Sequence, residues 1–126
     1  MKHFALLLVV PLLIGATGNS RPVQSRFGQT VYVDGPRVTP LALLEDSRCP
    51  QRAQCIWAGR VRISARVRRG GGARVHELEL GKSIHLADGS LTLVSVSPGR
   101  KQGGAIVAAR YHFGFTFAGG LEHRTD

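Results

Sequence analysis

The chain has 126 residues, enough for one domain around one core and too few for a second. Its 17 basic side chains outnumber 8 acidic ones for a net charge of +9, and only Lys2, Lys82 and Lys101 among them are lysine. An arginine-dominated excess bears on partners, since the planar guanidinium fork suits phosphate and carboxylate, and it says nothing about fold.

Met1-Lys2-His3 makes a charged start, Phe4 to Ile14 an apolar run, and Ala16-Thr17-Gly18 a small-residue exit. That order predicts a secretory signal peptide over residues 1–18, cleaved before Asn19. The apolar run is too short to span a bilayer and is interrupted by Pro11, and no later run is long enough, so no transmembrane segment is expected once the signal is removed. The remainder divides into a flexible leader over 19–26, a β domain over 27–118 and a disordered tail over 119–126. The destination is outside the cytoplasm, periplasmic or extracellular.

Within the domain, Phe27 to Val33 is expected to form a first strand, since Val31 and Val33 alternate with Thr30 and Tyr32. Asp34-Gly35-Pro36 is a turn signal. Arg37 to Leu44 is a second extended run, and Pro40 within it requires an edge position or a bulge because it cannot donate to a ladder.

Glu45-Asp46-Ser47-Arg48-Cys49-Pro50 and Cys55-Ile56-Trp57-Ala58-Gly59 follow, holding both cysteines and the one tryptophan. In an oxidising compartment, cysteines at this spacing predict a Cys49–Cys55 disulfide. A zinc site would need about four ligands where only two thiols exist, and a thioredoxin-like redox site would need two intervening residues and a helix, so metal binding and redox sensing are the weaker alternatives. Asp46 and Ser47 are loop formers whose charge Arg48 offsets, and with Trp57 they form the candidate motif loop. Trp57 is expected as a buried ring beside the bridge with its indole N–H bonded to backbone; its alternative is an exposed stacking platform.

These two strings resemble a signature of small exported bacterial proteins of unknown function, many of them lipoproteins. The likeness extends more loosely from Phe27-Gly28-Gln29 to the strand at Tyr111. It implies a compact, exported, all-β domain and carries over no activity and no catalytic residues. This chain departs from the lipoprotein members in having no cysteine near its amino terminus.

Residues 60–68 give the clearest alternation. Val61, Ile63, Ala65 and Val67 fall on one face and Arg60, Arg62, Ser64, Arg66 and Arg68 on the other, which predicts a strand with an apolar inner side and an outer arginine stripe. Gly70-Gly71-Gly72 reads as a hairpin turn; no Gly-Lys-Ser/Thr string follows it, as a phosphate loop would require. Ala73 to Leu80 continues as a strand with His76, Leu78 and Leu80 on one side. Asp88-Gly89 between two extended runs is a two-residue hairpin signal. Ser97 to Gly104 is a loop, and Val107 to Phe117 alternates as a last strand rich in aromatic mass. Short strands with regular turns predict a small antiparallel β-sandwich or barrel of about six to eight strands.

No nucleophile-elbow string accompanies the histidines and serines, so a hydrolase is the weakest reading; it would need His76, Asp46 and a serine within hydrogen-bond reach. No cofactor or metal is implied. Two readings lead. One is a non-enzymatic binding or scaffolding module of the envelope, with a protein partner and an exposed apolar patch near Trp57 or Tyr32. The other is a polyanion binder that uses Arg60, Arg62, Arg66 and Arg68 on lipid phosphate or an envelope polysaccharide, the export signal disfavouring nucleic acid. The oligomeric state is not readable from the residues.

Overall fold

The computed structural model describes residues 21–100 and 104–119. The expected signal peptide, the first leader residues and positions 120–126 of the expected tail lie outside the described residues.

The fold is all-β, two four-stranded antiparallel sheets packed as a small sandwich. One sheet holds β2 (Val31–Tyr32), β3 (Arg37–Asp46), β4 (Val61–Arg69) and β5 (Gly72–Glu79) in that order. The other is ordered β1 (Val23–Ser25), β8 (His112–Gly119), β7 (Gly89–Ser97) and β6 (Ser83–Leu86). Period two does what the alternation of β4 requires: Val61, Ile63, Ala65 and Val67 are all buried. They meet Leu78 of β5, Leu91 and Leu93 of β7, and Tyr111, Phe113, Phe115 and Phe117 in and beside β8. Phe27 closes one end edge-on, its ring centroid 4.8 Å from Phe113 and 5.8 Å from Tyr111.

Four expectations need correction. Residues 23–25 are not a flexible leader: they form β1 on β8, with Val23 opposite Phe115, and Ser25 is buried with its hydroxyl donating to the Gln29 carbonyl at 2.7 Å. The run from Phe27 to Val33 is a strand only at Val31–Tyr32. The β6–β7 hairpin turns at Ala87-Asp88, with Gly89 already paired to Leu86. Gly89 passes so close to β8 that a Cβ there would lie 2.3 Å from the Ala118 carbonyl oxygen. The last strand begins at His112 rather than Val107, because the final β7–β8 pair is Ser97 with His112 and no described strand lies beside the residues before it. The backbone there bonds to itself instead, as a 3-10 turn over Ala108–Arg110, and Val107 is exposed.

Pro40 sits where its missing N–H predicts, at a bulge. The β3–β4 register shifts between Pro40 and Ala42 and again between Leu43 and Glu45, so Leu41 and Leu44 are extra residues with no partner on β4. The consequence for the site is positional: Asp46 faces inward opposite Val61, and Glu45 faces outward opposite Arg62.

Candidate functional site: the disulfide loop and the arginine face

The segment from Ser47 to Arg60 leaves the sandwich at the end of β3 and returns at the start of β4. Its mouth is closed by the Ser47 N–H donating to the Arg60 carbonyl at 2.9 Å and the Arg60 N–H donating to Ser47 Oγ at 3.0 Å. Cys49 and Cys55 are joined by a disulfide, with Cα atoms 5.9 Å apart. A bridge over so short a loop stabilises chiefly by restricting the unfolded chain. We expect the Cys49→Ser/Cys55→Ser double variant to lose about 2 kcal/mol of unfolding free energy in urea titrations while keeping its β-sheet circular dichroism. A loss of fold would show that the bridge, and not the polar ties described next, holds the loop.

Those ties converge on Arg48. Its Nε and Nη2 donate to the two oxygens of Asp46 at 2.9 and 3.0 Å, while Nη1 and Nη2 also reach, in the opposite sheet, the carbonyls of Val96 near the end of β7 at 3.1 Å and of Pro98 just after it at 2.9 Å. Tyr111 Oη donates to the same Asp46 carboxylate at 2.6 Å. Arg100 returns the tie by donating to the Asp46 and Arg48 carbonyls at 3.3 and 3.4 Å, and the Gln51 N–H donates to the Arg100 carbonyl. One guanidinium and one carboxylate thus lock the loop across both sheets.

The charges respond accordingly. Burial pushes the Asp46 carboxyl up, but hydrogen bonds from Arg48 and Tyr111 and the Arg48 charge together outweigh it, leaving the group below its ordinary 3.8. The Tyr111 phenol moves the other way, to about 12, through burial first and then its hydrogen bond to the Asp46 anion. Both oxygens of the Asp46 carboxylate are engaged, Oδ1 by Arg48 and Oδ2 by Arg48 and Tyr111. His76 lies elsewhere, in a crevice with His85, Arg69 and Arg74. The convergence a hydrolase would need is absent among the described residues, and so is any set of three side chains able to hold a metal.

Trp57 is not buried. It is 79% exposed, and its neighbour Ile56 is 91% exposed. Neither side chain joins the buried core cluster, whose Tyr111 is tied to Asp46 instead. Trp57 borders a shallow groove of ≈ 610 Å³ whose walls include Glu45, Arg60, Glu79 and Arg100.

The four stripe arginines, Arg60 just before β4 and the other three on its outer side, do not share one environment. Arg60 Nε pairs with Glu45 at 2.5 Å, and that hydrogen bond raises the Arg60 pKa. Arg62 pairs with Glu77 of β5 and lies 3.9 Å from Glu45. Arg66 and Arg68, further along, have no carboxylate partner among the described residues. In their place the register brings Arg37 directly opposite Arg68 and Thr39 opposite Arg66. Sequence reasoning singled out neither Arg37 nor the structural role of Tyr111 and Arg100, because each acts through a strand or loop distant along the chain. No family model, no curated protein and no solved structure matches this chain.

Proposed function

We propose that the chain is a non-enzymatic binding module of the cell envelope that meets a protein partner through the tip of the disulfide loop. The observation that carries this reading is the placement of Ile56 and Trp57: two large apolar side chains held in water on a backbone fixed by a disulfide and by Arg48. Exposing such residues has a hydration cost that a partner surface removes, and a pre-fixed loop loses little entropy on docking. Tryptophan in a rigid setting is the residue type that most often dominates an interface. The disulfide supports an exported location, and no helix among the described residues is long and apolar enough to cross a membrane.

Retention on native envelope fractions tests the reading. Trp57→Ala should weaken retention about 30-fold, as loss of a central anchor worth about 2 kcal/mol does. An apolar contact should also persist at high salt. Because Trp57 is the one tryptophan, its emission should shift to the blue on binding. Unchanged retention of both the Trp57→Ala and Ile56→Ser variants, with no emission shift, sinks the proposal.

A further inference from the structure

The far end of the same sheet carries a second feature. Tyr32, Arg37, Arg68 and Ala73 form one outward row across β2, β3, β4 and β5, and Thr39, Arg66 and Val75 form the next. Like charges placed directly opposite across a ladder repel, and Arg37 and Arg68 are such a pair. The carboxylates of this face, Glu45, Glu77 and Glu79, are taken up by Arg60, Arg62 and Lys82 near the other end. Among the described residues none pairs with Arg37, Arg66 or Arg68. These three line a depression of ≈ 350 Å³ together with Thr30 and Thr39. The two threonine hydroxyls are 2.6 Å apart, so one donates to the other and the second keeps its proton for a ligand.

The geometry points to a binding site for a phosphate group in this depression, held by Arg37, Arg66 and Arg68 with a threonine hydroxyl. Three guanidinium forks offer more donors than a planar carboxylate has lone pairs, whereas a phosphate presents an oxygen in each direction. Charge neutralisation by the ligand removes the Arg37–Arg68 repulsion, so binding and stability are coupled. The site is separate from the Trp57 loop, and either can fail without the other.

The test uses the exported protein in inorganic phosphate against chloride at matched ionic strength. At tenfold excess over Kd, phosphate should raise the melting midpoint by about 5 °C. Arg66→Gln and Arg68→Gln should each weaken phosphate about tenfold, the loss of one charge-assisted bond, while Arg110→Gln, in the 3-10 turn before β8, changes it less than about twofold. In phosphate-free chloride buffer the Arg68→Gln variant should melt no lower than the parent, since it relieves a repulsion. A second arm sediments the protein with phosphatidylcholine vesicles with and without phosphatidic acid. Binding in both arms means the phosphate group alone suffices; sedimentation with phosphatidic acid and no response to free phosphate assigns the group to a lipid headgroup. No response to either probe, equal losses in Arg110→Gln, or a lower midpoint for Arg68→Gln in phosphate-free chloride buffer overturns the site.

Discussion

Asp46→Ala should lower the unfolding free energy by about 3–5 kcal/mol, the cost of leaving a partner charge enclosed without its counterion. The Arg48 side chain is 16% exposed and Asp46 only 6%, so water cannot substitute for the lost carboxylate. The variant also orphans the Tyr111 hydroxyl, which donates to Asp46 at 2.6 Å. Urea denaturation followed by circular dichroism measures the loss, and a change under about 1 kcal/mol, the range of a surface ion pair, would remove the network from its structural role.

The same network sets the pH limits of stability. The folded pKa of Asp46 lies below its unfolded value, so its contribution is complete above pH 3.8 and is lost as pH falls through the lower folded value. Tyr111 has the opposite sign: its folded pKa is raised from 10.0 to about 12, so its contribution is complete below pH 10 and is lost as pH rises towards 12. Tyr111→Phe should flatten the alkaline limb and also shrink the acid limb, since it removes one of the hydrogen bonds that hold the Asp46 carboxyl down, while the bonds from Arg48 keep the rest.

Gly59→Ala should cost about 2–4 kcal/mol, combining left-handed strain with a backbone collision. Gly59 has φ +73°, and a Cβ there would lie 1.9 Å from the Ser47 carbonyl oxygen and 2.8 Å from Arg48 Cα. Neither atom belongs to a side chain that can swing away. Gly70 separates the two causes: its φ is +56° with open space around it, so Gly70→Ala should lose only about 1 kcal/mol, the conformational part. Equal losses at the two positions would show that the Ser47–Gly59 approach relaxes freely.

How much of this was legible in the residues follows from the range of each interaction. The inner face of β4 was readable because its alternation is unbroken and local, and the disulfide because both partners fall within one short loop. β3 was not readable in the same way. Strict alternation would set Ala42 on the face of Pro40, yet the bulge turns it outward opposite Ser64; Pro40 marks an irregularity beside Leu41, but nothing local marks the second one at Leu44. The onset of β8 depended on where β7 ends, a fact about a partner strand. Trp57 misled because its type favours burial, while its exposure depends on how the bridged loop leaves the sandwich, which no local pattern encodes. The arginine stripe was correct as a direction and incomplete as a surface: Glu45 and Glu77 neutralise half of it, and Arg37 joins the rest only through register.

The length of β4 fixes how its two ends can influence each other. From Val61 to Arg69 the strand climbs about 26 Å at its usual rise of 3.3 Å per residue. Ions at physiological strength damp electrostatic effects over about 8 Å. A charge change in one terminal region is therefore scarcely felt at the other, and substitutions drawn from the two should combine as simple sums. A ligand held at the proposed phosphate site would therefore leave Trp57, beyond the other end of β4, free for a second encounter.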